Sequence, residues 1–503
     1  MFVSTPESLR LPGFLALLAL LSPFALIGCS DGSDRPAKID LLPIAVPTVS
    51  SPPPEGEPSL LSSTFALSDV GYAQQEFFIT GTASSFTNLN ELGSDGMWNV
   101  EPGEEAEYRT RVLMYTPVDA ASFSGSVYVE WLNVTTGFEL PVSYGTAHTQ
   151  LLREGHAIAL VSAQYVGVEG AENPLLPLHL KAVNPARYGT LNHPGDSFSY
   201  DIFTQVAGLL SQTDNNELLD GESASLIIAM GQSQSASHLV TYFNAIQPVY
   251  KAFDGFLIQN RGAGSSSLAQ QPLTDIPTPR PVYLRSDSTT VVINVQGESD
   301  ILGRDGENSR QDDNDNFRLW EIAGSAHNDE YTFVSGRNDI GDDPRFATVV
   351  EQTSILGFQE CNLPMNSGYL AWPLNAAIHA LDRWARGGEP PAEVARLDLD
   401  SSGLNFLLDD VGNVTGGVRT SYVEAPAAVL SGLGQEGNDF CFLFGTTKLF
   451  DKATMAARYI DSAGYKTAVS NSVATGIEQG TLLQSDAQRI IDATDLQWEM
   501  LEF

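Results

Sequence analysis

The most informative residues of the chain are Ser225 to Ala236, which read SLIIAMGQSQSA. The first half, up to Met230, is almost continuously apolar, as is typical of a strand buried on both faces by helices. A turn of small residues follows, with Gly231 two positions before Ser233 and Ser235 two positions after it. Small residues at these positions permit a sharp turn from strand to helix that exposes the central hydroxyl, although glycine is usual at both. The pattern therefore predicts a nucleophilic serine, Ser233, at the end of a buried strand.

Other segments of the chain have the same apolar character and are predicted to be strands: Ser126 to Trp131, Ala157 to Ser162 and Val291 to Gln296. They alternate with helical patterns, of which Ser235 to Ile246 and Tyr369 to Arg386 are the clearest. This alternation predicts the α/β class, with a mostly parallel central sheet flanked by helices. We expect this core to span residues 64–388.

The segment 389–503 comes after the glycine pair Gly387 and Gly388, which is a strong helix stop signal. It has turns of its own and a final helix that is predicted to begin at Ser485, with a capping box to Gln488. No linker rich in Gly and Ser separates it from the core. We therefore expect a C-terminal elaboration packed on the core rather than an independent domain.

The composition excludes several classes of function. The 503 residues are 42% hydrophobic, which is enough for a large core, and carry 26 Lys and Arg against 62 Asp and Glu, a formal net charge of −36. A field of this sign repels phosphate backbones, so nucleic acid is excluded as a partner. The 3 cysteines are too few for a disulfide scaffold or a multi-cysteine metal site.

Residues 1–28 have the composition of a signal peptide. A single base, Arg10, precedes an apolar run from Phe14 to Leu21, which is too short to cross a bilayer. The segment ends in Leu26, Ile27, Gly28 and Cys29, which resembles the bacterial lipobox. We therefore expect cleavage before Cys29 and attachment of lipid to it. An ordinary secretory signal with a fortuitous cysteine is the alternative.

Residues 29–63 are rich in Pro, Ser and Gly and are predicted to form a tether. Ser30 follows the cysteine, and in such lipoproteins a residue other than Asp at that position usually implies delivery to the outer membrane. We therefore expect an outer membrane lipoprotein whose body is periplasmic or surface-exposed. Contact with the membrane is expected only through the lipid on Cys29.

A nucleophilic serine needs a base and an orienting acid, and in this architecture both are expected later in the chain, at strand ends, with the acid first. Asp300 lies just beyond the strand Val291 to Gln296, and Glu298 is a competitor two residues earlier. His327 follows another apolar segment and a turn of small residues. We interpret His327 as the base and Asp300 as the acid, with Glu298 as the alternative acid.

This set of residues suits acyl transfer. Ser233 would attack an acyl carbonyl, His327 would take and return the proton, and Asp300 would hold the imidazole tautomer. The developing oxyanion would be bound by backbone N–H groups. The expected donors are Gln234 and, from the loop after the first predicted strand, Asn133 and Val134.

No other motif predicts a cofactor or a metal. Asp312 to Asn316 are rich in Asp and Asn, but an EF-hand register would place Phe317 where glycine is required and Ala323 where the bidentate Glu belongs. The sequence contains no phosphate-binding glycine loop and no dinucleotide fingerprint. Cys361 and Cys441 are expected to pair in an oxidising compartment, with two separately buried thiols as the alternative.

Several motifs together resemble a family of bacterial and fungal α/β-hydrolase-domain proteins, whose members are mostly known only as predicted esterases. The motifs are EWLNV (130–134), LREGHAIALVSAQYVGV (152–168), NPARYGTLNHPGD (184–196), SYDIF (199–203), GQSQSA (231–236), WEIAGSAH (320–327) and DDVGNVTGGVR (409–419). The resemblance runs from about Phe65 to Phe503. It implies the α/β-hydrolase fold, with Ser233, His327 and an acid from the pair Glu298 and Asp300.

The function expected from these observations is hydrolysis of small-molecule carboxylic esters through an acyl-enzyme, without a cofactor. A peptidase or a thioesterase with the same triad is an alternative, because the triad specifies acyl transfer and not the leaving group. The alternative from another class is a non-catalytic, surface-anchored binding lipoprotein of the same fold. The acyl and alcohol specificity and the oligomeric state stay open, because they depend on how distant segments meet.

Overall fold

A computed structural model describes residues 41–501, apart from positions 173, 175, 215, 358 and 437–439. The predicted signal peptide, the lipidation site Cys29 and the first part of the predicted tether lie outside the described residues. The described residues from 41 to 501 belong to one compact unit, so the described part of the predicted C-terminal elaboration belongs to the same body as the core.

The centre of the described structure is a nine-stranded sheet. Its strands are β1 (Thr48–Ser50), β2 (Tyr72–Asn88), β3 (Val100–Pro117), β4 (Ser126–Trp131), β5 (Ala157–Val161), β6 (Leu226–Gln232), β7 (Gly255–Gln259), β8 (Val291–Gly297) and β9 (Phe317–Ile322). They are arranged in the order β1-β2-β3-β5-β4-β6-β7-β8-β9. Strands β4 to β9 are parallel, whereas β1, β2 and β3 add an antiparallel edge. The predicted α/β class with a mostly parallel sheet is confirmed.

Helices cover both faces of the sheet. The α-helices of the described structure, not all of which pack on the sheet, are α1 (Val142–Arg153), α2 (Tyr165–Glu169), α3 (Leu180–Val183), α4 (Pro185–Tyr188), α5 (Ser199–Leu210), α6 (Gln234–Thr241), α7 (Gln247–Tyr250), α8 (Glu298–Ile301), α9 (Ala371–Ala385), α10 (Ser421–Glu424), α11 (Lys452–Tyr459), α12 (Ser462–Glu478) and α13 (Gln484–Met500). Two short antiparallel pairs lie outside the main sheet: β10 (Ser354–Ile355) with β11 (Gln359–Glu360), and β12 (Ala428–Ser431) with β13 (Thr446–Leu449).

The apolar strands are buried on both faces because successive side chains point to opposite sides of the sheet. In β4, Val127 and Val129 pack into the cluster that contains α5 and α6, whereas Tyr128 packs into the cluster that contains α1 and α9. Full burial of a Val or Leu side chain contributes about 1.5–3 kcal/mol. Two such layers hold the parallel strands rigidly, and with them the strand ends at which the predicted catalytic residues lie.

The predicted tether is shorter than residues 29–63. Strand β1 pairs with β2, and Arg111 donates to the carbonyl of Ser59 at 2.6 Å. Arg187 donates to the carbonyls of Pro53 and Gly56, both at 2.9 Å. The backbone of this Pro- and Ser-rich segment is therefore bound to buried arginines of the core. The residues before β1 are attached to the body as well, because the N–H of Leu42 donates to the carbonyl of Val249 at 3.0 Å and Ile44 packs against the core.

The C-terminal segment has a core of its own, which is continuous with the main one. Met455 of α11, Tyr465 of α12 and Ile490 of α13 pack in one cluster with Trp372 of α9. The last helix begins at Gln484 with Leu483 as its N-cap, so the predicted capping box at Ser485 is wrong. Gln488 instead donates to the carboxylate of Asp492, one helical turn later. Between residues 41 and 501, and leaving aside the undescribed positions, no helix is long and apolar enough to cross a membrane.

Candidate active site

Ser233 occupies the sharp turn between β6 and α6. Its backbone has φ 62° and ψ −115°, a conformation that costs a non-glycine residue about 1–3 kcal/mol and that the surrounding structure must impose. Gly231 suits the tight turn before it, because a Cβ at that position would lie 3.0 Å from Cβ of Ser235 and 3.1 Å from Cδ1 of Leu239, so that these neighbours would have to shift. Ser235 replaces the usual second glycine and is fully buried in this turn. The turn is strained as predicted, but Ser233 is buried rather than exposed, and its side chain lines an apolar cavity.

His327 and Asp300 meet Ser233 in one hydrogen-bonded chain. Nε2 of His327 lies 2.8 Å from Oγ of Ser233, and Nδ1 lies 2.5 Å from Oδ1 of Asp300. The other oxygen of Asp300 accepts from the N–H of Gly297 at 2.9 Å. Asp300 is fully buried, and His327 and Ser233 are 2% and 7% exposed. The structure therefore brings together the three residues that the sequence singled out.

Glu298, the alternative acid, has different partners. Its two carboxylate oxygens accept from the N–H groups of Gly324 at 2.6 Å and Gly432 at 2.7 Å. Complete burial raises the pKa of this carboxyl to about 7, although both N–H groups act in the opposite direction. Glu298 thus joins the turn that carries His327 to the C-terminal segment, and it makes no hydrogen bond to the imidazole. Of the two candidate acids, the structure places Asp300 at the histidine.

The backbone of His327 is held independently of its side chain. Its N–H donates to Oγ of Ser299 at 2.9 Å, and its carbonyl accepts from the side chains of Asn260 at 2.5 Å and Gln232 at 3.1 Å. Burial lowers the pKa of the imidazole below 6.5. The charge of Asp300 acts against that shift, and the charge of Arg304 adds to it. At neutral pH the ring is therefore uncharged and can accept a proton from Ser233.

The predicted oxyanion donors are only partly free. Gln234 is the first residue of α6, and the first N–H groups of a helix have no partner within it. The N–H of Asn133 donates to the carbonyl of Leu140 at 3.0 Å, so the prediction that it faces an oxyanion is wrong. The N–H of Val134 donates to the side chain of Gln234 at 3.1 Å, so it too is occupied in this structure. The bond from Asn133 is part of a β-bridge to Leu140 within the same loop.

The sequence analysis missed Arg304, which lies beside the nucleophile. Nη1 of Arg304 donates to Oγ of Ser233 at 3.4 Å. The arginine follows α8 by three residues, in a polar loop whose composition gives no signal of a functional residue. The loop after Asp300 turns back toward the end of β6, and this turn brings Arg304 to Ser233.

An apolar cavity of about 110 Å³ opens onto Ser233 and His327. Its apolar walls come from five parts of the chain: Leu61; Phe138 with Leu140 and Val142; Leu176; Phe333 with Ile355 and Leu356; and Phe440 with Leu443 and Phe444. A disulfide between Cys361 and Cys441 joins the last two of these parts. The C-terminal segment therefore forms part of the site itself, and so does the N-terminal segment through Leu61.

Among the residues that the structure describes, no group of three or more His, Cys, Asp or Glu side chains is arranged to hold a metal ion. Within the Asp- and Asn-rich segment 312–316, Asp313 accepts from Arg396 and from the N–H of Leu319, both at 2.9 Å. That carboxylate has a structural role between a loop and the sheet.

The turn at Ser233 and the parallel sheet behind it define the class of α/β-hydrolase folds. The sequence matches the model of the family described as alpha/beta hydrolase domain over residues 47–492. The chain belongs to this family, and the resemblance found in its motifs is confirmed. No curated protein matches the sequence.

Solved structures with partial similarity include three esterases. Acetyl xylan esterase 1 from Thermoanaerobacterium sp. JW/SL YS485 has 9% identity and a TM-score of 0.23, with 43% of this chain and 53% of that chain covered. A glucuronoyl esterase from Solibacter usitatus has 12% identity and a TM-score of 0.25, with coverages of 50% and 76%. A CE15 glucuronoyl esterase from Teredinibacter turnerae T7901 has 12% identity and a TM-score of 0.25, with coverages of 51% and 61%. The chain thus spans about half the length of the first of these, and scores this low say nothing about its own substrate.

Proposed function

We propose that the protein is a serine hydrolase of carboxylic esters that carry an apolar acyl group. The observation that carries this proposal is the hydrogen-bonded chain from Asp300 through His327 to Ser233, in which His327 contacts both neighbours at 2.8 Å or less. A serine hydroxyl is a weak nucleophile until an adjacent base removes its proton. The buried, uncharged imidazole of His327 is such a base.

In the first half-reaction, Oγ of Ser233 attacks the ester carbonyl carbon while its proton passes to Nε2 of His327. The π electrons of the carbonyl move to its oxygen and form a tetrahedral oxyanion. The imidazolium is stabilised by Asp300, which accepts the hydrogen bond from Nδ1–H. When the intermediate collapses, the bond to the alcohol oxygen breaks, and that oxygen takes the proton from Nε2. The products are an acyl group on Ser233 and a free alcohol.

In the second half-reaction, water replaces the alcohol. Nε2 of His327 removes a proton from the water as its oxygen attacks the acyl carbon, and it returns the proton to Oγ of Ser233 when the acid leaves. The arrangement thus uses one base twice and consumes no cofactor. The buried position of Asp300 strengthens its interaction with the imidazolium, because charges attract more strongly where water is excluded.

The apolar cavity beside Ser233 supports an apolar acyl group in the substrate. Its side walls include Phe138, Phe333 and Phe444, and its end at the nucleophile is polar. Burying each methylene of an acyl chain in such a cavity contributes about 0.8 kcal/mol. A volume of about 110 Å³ suits a short chain better than a long one. We therefore expect short and medium acyl esters to be the preferred substrates.

A panel of p-nitrophenyl esters of increasing acyl length, run beside a peptide and a thioester, tests the proposal. We expect turnover of the esters, with kcat/KM rising from acetate and then falling once the chain exceeds the cavity. If only the peptide or only the thioester is turned over, the protein is a peptidase or a thioesterase rather than an esterase. If none of these substrates is turned over and a fluorophosphonate probe does not label Ser233, the protein is better explained as a non-catalytic binding protein.

We also propose that lipid on Cys29 anchors the protein to the outer membrane, as its lipobox-like sequence indicates. Each buried CH₂ of an acyl chain contributes about 0.8 kcal/mol, so two or more chains outweigh repulsion between a net charge of −36 and anionic headgroups. Fractionation of wild type and Cys29→Ala, with mass spectrometry of the N-terminal peptide, tests this proposal. Wild type is expected in the membrane fraction with a modified Cys29. A wild type found wholly in the soluble fraction would contradict the anchor.

A further inference from the structure

No described carboxylate lies within ion-pair distance of the guanidinium of Arg304, although the charge of Asp300 acts on it from further away and raises its pKa against the effect of burial. Its one hydrogen bond to another described side chain is the donation from Nη1 to Oγ of Ser233 at 3.4 Å. Its neighbour Arg280, by contrast, pairs with Asp305 at 2.6 Å. A positive charge beside the nucleophile, in a chain with a net charge of −36, can stabilise a negative charge that develops there during the reaction.

The backbone around Arg304 holds it at this position. Its carbonyl accepts from the N–H of Ala263 at 3.1 Å and from Nη2 of Arg280 at 2.9 Å. Gly262, at φ +67°, lies directly against it, and a Cβ there would be 2.9 Å from Cβ of Arg304. The loop is therefore anchored to the segment after β7, and the side chain is aimed at the end of β6.

The anion that forms within reach of Arg304 during ester hydrolysis is the tetrahedral oxyanion. The oxyanion and Oγ of Ser233 are then bonded to the same carbon, so a donor that already contacts Oγ lies close to the new charge. The amides of Asn133 and Val134, which were expected to supply the second donor, are occupied by Leu140 and by the side chain of Gln234. We propose that Arg304 is a catalytic residue whose guanidinium donates to the oxyanion together with the N–H of Gln234.

This inference rests on the proposed function of Ser233 as the nucleophile. In the attack, the new bond forms between Oγ and the carbonyl carbon, the proton goes to His327, and the carbonyl π electrons become the negative charge on oxygen. The hydrogen bond from Nη1 shifts from Oγ to that oxygen, so it becomes stronger in the transition state than in the resting enzyme. Removing an interaction of this kind lowers kcat and leaves KM nearly unchanged.

The test uses Arg304→Met, which keeps the bulk of the side chain and removes its charge and donors, and Arg304→Lys, which keeps the charge. Arg345→Met is the matched control, because Arg345 is exposed and pairs only with Asp343 near it in sequence. With p-nitrophenyl acetate, Arg304→Met is expected to lower kcat by about 10²- to 10³-fold with KM within about threefold of wild type, the loss typical of one oxyanion donor. Arg304→Lys is expected to lose less, and the control is expected to match wild type.

The rate of labelling by a neutral fluorophosphonate is the second readout, because its adduct with Ser233 places a phosphoryl oxygen where the oxyanion would form. Slower labelling of Arg304→Met than of wild type supports the inference. Equal labelling rates and an unchanged kcat overturn it, while labelling of wild type at Ser233 still supports the proposed nucleophile. A loss confined to esters that carry a carboxylate, and seen in KM, would also overturn it and make Arg304 a binding site for an anionic substituent.

Discussion

Glu298 and Asp300 lie two residues apart at the end of β8, yet only Asp300 hydrogen-bonds to His327, at 2.5 Å from Oδ1 to Nδ1. The N-terminal turn of α8 directs the two side chains to opposite partners. Glu298 accepts from the N–H groups of Gly324 and Gly432, which lie in the turn before His327 and in the C-terminal segment. One carboxylate therefore orients the base, and the other joins the segments that surround it.

Substitution separates these two roles. Asp300→Asn is expected to lower kcat on the order of 10³- to 10⁴-fold with little loss of stability, because a neutral partner favours the wrong tautomer of His327. Glu298→Gln is expected to lower the free energy of unfolding by about 1–3 kcal/mol, since one backbone N–H then faces an amide NH₂. Steady-state kinetics and urea unfolding on both variants measure these effects. A larger loss of kcat in Glu298→Gln than in Asp300→Asn would show that Glu298 is the acid of the triad.

In the pH profile of kcat/KM, the midpoint of the acid limb is expected to lie below pH 6.5. His327 must be uncharged to accept the proton, and burial lowers its pKa from the ordinary 6.5, so activity persists to lower pH than for an exposed histidine. A profile from pH 4.5 to 8.5 with p-nitrophenyl acetate gives the midpoint. Glu298→Gln is the control and should leave that midpoint in place. A midpoint near 7 that moves in this control would instead report the titration of Glu298, whose pKa is about 7.

Glu130 is expected to make the protein less stable as the pH rises. Its carboxylate at the end of β4 accepts from the N–H groups of Ser143 and Tyr144 at the start of α1, and burial raises its pKa from 4.5 to about 8. The folded state therefore holds a proton that the unfolded chain releases near pH 4.5, and stability falls as the pH rises toward 8. Between pH 5.5 and 8.5 the decline in the free energy of unfolding should be smaller in Glu130→Gln than in wild type, by on the order of 1–3 kcal/mol. Equal declines would contradict this assignment.

The disulfide is expected to control the shape of the apolar cavity. Cys361 and Cys441 are 80 residues apart, and each lies near residues that line the cavity, namely Gln359 and Phe440. The double variant Cys361→Ser with Cys441→Ser should raise KM for butyrate and longer esters several-fold and leave kcat for acetate within about twofold of wild type. Its free energy of unfolding should fall by about 2–5 kcal/mol. An unchanged dependence on acyl length would show that the cavity walls hold without the covalent bond.

The sequence predicted the strands and the triad because both depend on local patterns. Each of Ser233, Asp300 and His327 follows an apolar strand, and the carboxyl ends of parallel strands meet at one edge of the sheet. Adjacent strands β6, β7, β8 and β9 then bring the three residues together with little dependence on the rest of the chain. The order of acid and histidine along the chain follows from the same topology.

Other parts of the site depend on contacts between distant segments, for which a sequence pattern carries no signal. Arg304 lies in a loop that contacts Gly262 and Arg280, which come 42 and 24 residues earlier in the chain. The amide of Asn133 was expected to be free, but a β-bridge to Leu140 within its own loop occupies it. The composition of residues 48–63 indicated a tether, yet buried arginines bind its carbonyls. In each case a hydrogen bond that the local composition does not reveal determines the position of the residue.

In the proposed mechanism, Ser233 is the nucleophile, His327 activates it, and Asp300 orients His327. Labelling of the full chain with a fluorophosphonate, followed by peptide mass spectrometry, tests it most directly. We expect one adduct on the peptide that contains Ser233 in wild type, none in Ser233→Ala, and much slower labelling in Asp300→Asn, with near-ultraviolet circular dichroism confirming that all three proteins are folded. An adduct on another serine, or an unlabelled Ser233 in folded wild-type protein, would show that Ser233 is not the nucleophile.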